Sequence, residues 1–334
     1  MIICTLIRKN NMPPTARFKN FNLGGISESQ YVGIGDTRNE IRSVSDLVNL
    51  DIHSSPGIIQ CSRALEKVVD MSDNSLVINQ FCLAGVASPR GNGYMFGENG
   101  GVFERRADGR FHRVVTLTPE SGTAKVYSAE VFDDVIYYAM ESRLGKINAP
   151  AQGNTWSGRN DNFGDIAGHS KTKPMIVIED TLYIGHANKI SRVRDGVFTE
   201  NIGPPIGDNV QITCFGRLGN DLLIGTEVSS GFEEVAVQST ILRWNTTSNN
   251  TTSRDSVPEP TINAFLNSDN RVFVSVGYNS NIYVYDGAKL VFYRKIHPNA
   301  TETTVLPTSV TNFNNRPIFG LSSLEVQNLS LIHI

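Results

Sequence analysis

The chain lacks any apolar run long enough to cross a membrane, and none of its segments keeps the 3.6-residue apolar period of a long helix. It also lacks a basic stripe, since 30 Lys and Arg stand against 33 Asp and Glu, for a net charge of −3. The sequence therefore argues against membrane insertion and against nucleic acid as a partner. The apolar residues that open the chain are too few for a signal-peptide core, so no signal peptide is predicted.

Metal-binding and catalytic patterns are scarce as well. The four cysteines have no paired spacing, and the six histidines are scattered without the spacing of zinc ligands. No Gly-rich loop follows a strand and opens a helix, which argues against the usual phosphate cradles. Neither a nucleophile beside a base nor two placed carboxylates can be assigned. The sequence thus predicts no metal, no cofactor and no enzymatic activity, with the cysteines as small core residues in a reducing compartment.

What the chain contains instead is a repeat. Six times an Asn or Asp is followed five residues later by a small residue, with an apolar segment between them. The pairs are Asn92 with Gly97, Asp134 with Ala139, Asp180 with Gly185, Asn220 with Gly225, Asn270 with Ser275, and Asn315 with Gly320. The small residues are separated by 42, 46, 40, 50 and 45 positions, a period typical of four-stranded units that close into a ring. The sequence predicts an all-β fold, a six-bladed β-propeller with four-stranded blades.

A second motif recurs at a nearly fixed distance from the first. The dipeptides Asp108-Gly109, Asp195-Gly196 and Asp286-Gly287 follow their small residues by 11, 10 and 11 positions. Asp-Gly favours the positive φ angles of a tight hairpin turn, so each dipeptide is predicted to join the third and fourth strands of a blade. The small residue within the second strand is expected to let neighbouring backbones approach closely where the blades are crowded.

The N-terminal region has no blade motif. Residues 1–56 are predicted to form an extended arm, in which residues 1–11 are non-native because Met12 is the better start. Two short strands are predicted within residues 57–69. They are expected to join the propeller and to complete an unfinished blade at the other end of the chain.

That unfinished blade is the sixth repeat, which has sequence for its first two strands alone. The expected closure places residues 58–61 beside residues 317–320 and removes the exposed sheet edges. The propeller is accordingly assigned to residues 57–323. Residues 324–334 fit no repeat and are expected to be a non-native or frayed tail, with a native tail as the alternative.

Three sequence runs carry a family resemblance. They are Phe21-Asn-Leu-Gly-Gly25, Leu50-Asp-Ile-His-Ser-Ser-Pro-Gly-Ile-Ile59 and Leu182-Tyr-Ile-Gly-His186. Over residues 17–323 the chain resembles uncharacterised β-propeller proteins encoded by tailed phages and by environmental viral contigs. The resemblance implies a virion- or tail-associated structural protein, assembled in the host cytoplasm, whose partners are other virion proteins or a host-surface glycan or protein. Its motifs are structural, so it implies no chemistry.

Two segments invite a more specific interpretation. Gly153-Asn-Thr-Trp156 matches the second half of the Asp-box turn of sialidase-like propellers, but Ala149 and Ala151 stand where Ser and Asp would be. A structural turn is the favoured interpretation.

The oxygen-rich run Asn160-Asp-Asn-Phe-Gly-Asp165 lacks the alternate ligands of a calcium loop and is predicted to be a solvated polar loop.

Blade topology separates the connections into two faces. The tight turns after the first and third strands share one face, whereas the loops after the second and fourth strands share the opposite face. The two longest insertions, residues 156–173 and 228–240, are assigned to this second face, where binding is expected. The candidate binding residues are Trp156, Arg159, Asp161, Asp165, His169, Lys173, Phe232, Glu233 and Glu234. Tolerated surface insertions are the alternative, and Trp156 could instead be a core residue.

The sequence therefore favours a non-enzymatic scaffold or binding module in a phage particle. A carbohydrate-active enzyme on the same fold is the first alternative, and a cellular propeller that docks proteins is the second. Fold alone does not separate these functions. Two carboxylates with an arginine at the mouth of the central channel would favour the enzyme.

Overall fold

The computed structural model describes residues 82–107, 109–118, 124–168, 172–228, 238–268, 271–277 and 281–295, together with strand backbones within residues 15–61 and 304–324. The chain divides into two compact units, Met1–Lys67 and Val68–Ile334. Strands of the first unit are Thr15–Ala16, Leu23–Ile26, Arg42–Val44, Leu50–Asp51 and Ile59–Cys61. None of the described residues forms a helix long and apolar enough to span a membrane.

The described residues of the second unit form five four-stranded antiparallel sheets, named blades 1 to 5 in chain order. Blade 1 consists of Cys82–Ala87, Gly93–Gly97, Gly101–Arg105 and Phe111–Thr116. Blade 2 consists of Ser128–Phe132, Val135–Ala139, Arg143–Asn148 and Asn160–Asp165. Blade 3 consists of Met175–Ile178, Thr181–His186, Lys189–Arg194 and Val197–Thr199. Blade 4 consists of Val210–Leu218, Asp221–Val228, Ser239–Asn245 and Asn250–Val257. Blade 5 consists of Ile262–Ser268, Arg271–Val276, Asn281–Tyr285 and Leu290–Lys295.

The order of strands confirms the β-propeller. Each blade is a meander in which consecutive strands pair, and the first strand of each blade contacts the first strand of the next. The first strands therefore lie at the centre and the fourth strands at the periphery. Where the chain is described, the four-stranded sheets number five rather than the predicted six, because the sixth repeat is the two-stranded hairpin of Thr304–Phe313 and Arg316–Leu324.

The predicted pairing of residues 58–61 with residues 317–320 is wrong, and residues 62–69, which contain the second predicted strand, lie outside the described residues. Ile59–Cys61 pairs with Thr15–Ala16 and with Leu50–Asp51, whereas Arg316–Leu324 pairs with Thr304–Phe313. The N-terminal partners are close in sequence, so bringing them together costs less loop-closure entropy than pairing across the whole chain. The assignment of an arm, a propeller and a tail stays a prediction.

The small residue of the repeat occupies the same register position in most sheets. Five of the six lie opposite another small residue in the first strand of their own sheet, whereas the Gly185 amide donates to the Pro174 carbonyl. These pairs are Gly97 with Cys82, Ala139 with Ser128, Gly225 with Cys214, Ser275 with Ala264, and Gly320 with Ser309. A Cβ on Gly225 would lie 2.5 Å from the Cys214 Sγ and 2.9 Å from the Ile262 Cγ2. The space is thus taken by side chains of the first strands, including that of the next blade, rather than by a second backbone.

The core lies between blades rather than within one. Separate clusters of buried apolar residues fill the contacts of blades 1 and 2, 2 and 3, 3 and 4, and 4 and 5. At the centre, hydroxyl groups link successive blades by donating to backbone carbonyls. These bonds run from Ser128 to Lys173, from Thr172 to Ile212, and from Thr213 to Ile262. Together they hold the inner ends of blades 2 to 5 in register.

Candidate functional site

The structure divides the insertion that was predicted between repeats two and three. Asn160–Asp165 is the fourth strand of blade 2, not a polar loop. Residues 149–159 therefore join the third and fourth strands and lie on the tight-turn face, whereas the described residues that follow the fourth strand, 166–168 and 172–174, lie on the opposite face. The prediction that residues 156–173 form one long loop on one face is wrong, because a polar outermost strand lies within them.

Trp156 belongs to the core. Its side chain is 0% exposed, and its ring centroid lies 5.2 Å from that of Tyr94, 5.6 Å from Phe96 and 5.7 Å from Tyr138. The half Asp-box motif forms the turn that inserts this ring between blades 1 and 2, with Gly153 at a φ of 81°. The alternative role given to Trp156, a core residue, is therefore the one that its burial supports.

A buried carboxylate fixes this turn from the neighbouring blade. Glu104, with a 0% exposed side chain, accepts a hydrogen bond from the Gly153 amide at 3.0 Å, from the Asn92 side chain at 2.9 Å and from the Arg106 Nε at 3.0 Å. The loop lacks an acid at Ala151, and the carboxylate that binds its backbone comes from blade 1. This contact is structural.

Arg159 and Asp161 also lie near this turn, and they bind each other. The Arg159 Nε is 3.1 Å from the Asp161 Oδ1, and the Tyr138 hydroxyl donates to the same oxygen at 2.6 Å. Burial raises the pKa of Tyr138, and the hydrogen bond to Asp161 raises it further. Arg159 also donates to the Trp156 carbonyl at 3.2 Å. The ion pair of Arg159 and Asp161 therefore stabilises the turn that contains the buried indole.

The other predicted residues do not join them. Lys173 is 1% exposed, and its Nζ donates to the carbonyls of Ile166 at 2.8 Å and Gly168 at 3.1 Å. Asp165 is exposed and accepts the Ala167 amide at 2.8 Å. The remaining four candidates lie outside the described residues. They are His169, Phe232, Glu233 and Glu234.

A cavity of about 390 Å³ lies at the centre, where the first strands of blades 2 to 5 begin. Among the described residues that line it, the one carboxylate is Glu227 and the one cation is Lys173, which already binds two carbonyls. This lining does not supply the two carboxylates and the arginine that would favour an enzyme. The described residues also include no group of three or more His, Cys, Asp or Glu positioned for a metal ion.

A larger cavity, of about 630 Å³, opens between blades 3 and 4 on the tight-turn face, and we name it the 3–4 cleft. It lies beside the first turn of blade 3 and the last turn of blade 4. Its lining residues are Ile178, Glu179, Asp180, Thr181, Tyr183, Arg192, Arg194, Asn201, Ile202, Trp244, Thr246, Thr247 and Asn249. The lining is mostly polar and includes two arginines and two aromatic rings.

Strand alternation places the arginines in this cleft. In Lys189–Arg194, alternate residues share a face of the sheet, so Arg192 and Arg194 follow the apolar Ile190 toward blade 4. Arg192 lies directly opposite Tyr183 on the second strand. The Tyr183 ring in turn meets Trp244 of blade 4 edge to face, at 5.7 Å between centroids.

The two arginines differ in their partners. Arg194 donates to the Asp180 Oδ2 at 2.6 Å, and both side chains are about half exposed, at 50% and 59%. Partial desolvation would raise the pKa of Asp180, but hydrogen bonds from Thr181 and Arg194 outweigh it and hold this pKa below its usual value. The Nε of Arg192, by contrast, is buried and has no hydrogen-bond partner among the residues that the structure describes. This Nε is therefore a donor without an acceptor in the described part of the chain.

One feature of the sequence indicates this site. In the strand Lys189–Arg194, two arginines stand at the alternate positions that begin with Ile190, where aliphatic residues are usual. A charged side chain at such a position needs a buried partner or a ligand. The cleft itself could not be predicted, because it depends on how two sequence-distant turns face each other.

No protein-family model matches the sequence, and no curated protein matches it either. Among solved structures, the extracellular domain of BT4673 from B. thetaiotaomicron is similar at 14% identity and a TM-score of 0.51, over 76% of this chain and 33% of that one. The Dos1 propeller is similar at 11% identity and a TM-score of 0.52, over 77% and 69% of the two chains. The chain thus spans about a third of the length of the BT4673 domain. At these identities, the similarity shows the fold alone.

Proposed function

We propose that this protein is a non-enzymatic binding module built on a β-propeller, and that the 3–4 cleft is its ligand site. The observation that carries this proposal is the cleft of about 630 Å³, which is lined by Arg192, a side chain whose buried Nε has no hydrogen-bond partner in the described part of the chain. Buried polar groups are almost always paired, so an unpaired arginine in the wall of an open cavity indicates an acceptor that arrives with a ligand.

The acids of the cleft support binding rather than catalysis. Glycoside hydrolysis needs one carboxyl group that stays protonated, which requires a raised pKa. The pKa of Asp180 is lowered instead, because Thr181 and Arg194 stabilise its ionised form. Glu179 is the other carboxylate of the described lining, and it is an exposed residue of the same turn. Such a pair suits the orientation of polar ligand groups better than proton transfer.

The proposed setting follows from the sequence resemblance to phage-encoded propellers. It supports a module of a virion or phage tail, with a host-surface glycan as the ligand and other virion proteins as neighbours. Hydroxyl and amide groups on Thr181, Asn201, Thr246, Thr247 and Asn249 line the cleft and match the hydrogen-bonding groups of a glycan.

A glycan array with the full chain tests this function. Thr247 is exposed on the rim of the cleft, so Thr247→Trp should block entry and abolish glycan binding. Thr116→Trp adds the same side chain at an exposed site in blade 1 and should leave binding intact. Wild-type binding that survives Thr247→Trp would place the site elsewhere. An absence of glycan binding by the wild type, or release of a cleaved product, would overturn the proposal.

A further inference from the structure

We infer that the ligand of the 3–4 cleft carries a carboxylate, and that this ligand is an acidic saccharide whose carboxylate binds Arg192; the inference rests on the proposed function of the cleft. It begins with the charge balance of the described lining. Arg194 is neutralised by Asp180, with 2.6 Å between them, whereas Arg192 has no such partner.

The position of Arg192 explains why the protein leaves it unpaired. Its neighbours across the sheet are Tyr183 on one side and Thr199 on the other, and neither carries a negative charge. Its Nε is buried and has no hydrogen-bond partner within the described ranges. A charged group without an acceptor costs free energy, which a carboxylate bound to the cleft side of the guanidinium would recover.

The guanidinium selects the chemical class of that acceptor. Its planar donors match the two oxygens of a carboxylate in a bidentate pair, with more specificity than a single ammonium would give. A phosphate carries more charge and is usually held by several cations or backbone amides. Here Glu179 and Asp180 add negative charge beside a single uncompensated arginine of the described lining, which favours a monoanionic carboxylate.

The rest of the lining favours a saccharide over an acidic peptide. Its neutral polar groups are side-chain hydroxyls and amides, which can each donate and accept, as sugar hydroxyls do. The exposed members of this set, Asn201, Thr247 and Asn249, lie at the cleft margin. The apolar surface that an extended peptide would need for side-chain pockets is limited to Ile178, Ile202 and the edges of two rings.

Calorimetric titration of the full chain with defined sugars tests the inference. The probes are oligosaccharides that end in glucuronate, galacturonate or N-acetylneuraminate, the methyl ester of each, and the matched neutral oligosaccharides. Esterification removes the charge of the carboxylate, so each methyl ester should bind about tenfold or more weakly than its acid, the size expected for a charge-assisted hydrogen bond. The three acids distinguish uronates from nonulosonates as the source of the carboxylate.

Variants assign the effect to Arg192. Arg192→Gln should weaken binding of the acidic sugar about tenfold or more and abolish the preference over the ester, whereas Arg192→Lys should retain part of it. The matched control, Arg271→Gln, removes the same charge from an exposed position in blade 5 and should leave the affinity unchanged. Thermal melting of each variant checks that it is folded.

The outcomes separate this inference from the proposed function. Equal binding of acid, ester and neutral sugar, all blocked by Thr247→Trp, would refute the recognition of a carboxylate but leave the proposed binding function of the cleft intact. Acid binding that Arg192→Gln does not weaken would overturn the role of Arg192. Binding unaffected by Thr247→Trp would overturn the cleft and this inference together.

Discussion

The same three kinds of residue occur where blade 1 meets blade 2 and where blade 3 meets blade 4, but one contact is filled and the other is open. In each, a tyrosine of the second strand lies opposite a charged residue of the third strand and meets a tryptophan of the next blade edge to face. The first contact uses Tyr94, Glu104 and Trp156, and the second uses Tyr183, Arg192 and Trp244. The first is filled, and the second opens into the 3–4 cleft.

Two differences produce these outcomes. A connection of residues 149–159 enters the first contact and brings an amide to Glu104, so that the carboxylate is fully paired. In the described part of the second contact, the corresponding connection is the short turn after Asn245, whose Asn249 accepts the Trp244 Nε1 hydrogen at 3.2 Å, and none of the described residues hydrogen-bonds the Arg192 Nε. A charged group at a blade contact thus stabilises the fold if a loop of the next blade supplies its hydrogen-bond partner. Without such a loop, the group is available to bind a ligand.

The largest effect is expected from Trp156→Ala. Removing a fully buried indole that contacts three aromatic rings should lower the free energy of unfolding by about 3–5 kcal/mol. Trp244→Ala should cost less, because its ring borders a cavity that already exists. Urea denaturation of both variants measures the difference. A larger loss for Trp244→Ala would contradict the distinction between a filled and an open contact.

The next effect concerns the paired charge. Glu104→Leu leaves the Asn92 side chain, the Gly153 amide and Arg106 without their shared acceptor, and should lower the free energy of unfolding by about 3 kcal/mol. The exposed pair of Asp180 and Arg194 offers the control, since Asp180→Asn should change stability little. Similar losses for both variants would mean that burial does not decide how much a paired charge contributes to the free energy of unfolding.

The sequence was sufficient for the repeat and insufficient for these contacts. Spaced Asn, Asp and small residues predicted the blades, since turn chemistry and close packing are local requirements. Asn160–Asp165 was not recognised as a strand because an outermost strand needs few apolar residues, and Phe163 is its one large apolar side chain. The partner of Glu104 could not be predicted either. Gly153 belongs to another blade, and only the folded arrangement brings its amide to the carboxylate.

A smaller effect is expected at the inner end of the contact of blades 3 and 4. A Cβ on Gly185 would lie 2.9 Å from the Phe215 Cζ and 3.0 Å from the Ile212 Cγ2. Gly185→Val should therefore overpack this contact and lower the free energy of unfolding by about 1–3 kcal/mol. Gly158→Ala is the control, because a Cβ there meets no atom within 4 Å. Chemical denaturation measures both, and an unchanged Gly185→Val variant would show that the blades can separate without cost.

The smallest effect on stability is expected from Arg192→Met. Because the buried Arg192 Nε has no partner among the described residues, an apolar side chain of similar length should change the free energy of unfolding by less than about 1 kcal/mol, and in either direction. The same substitution in the filled contact, Arg159→Met, removes the ion pair with Asp161 and the bond to the Trp156 carbonyl, and should be the more destabilising. Denaturation curves for the two variants, measured without ligand, make the comparison. A loss above about 2 kcal/mol for Arg192→Met would show that Arg192 supports the fold through a partner, and its availability to a ligand would then have to be abandoned.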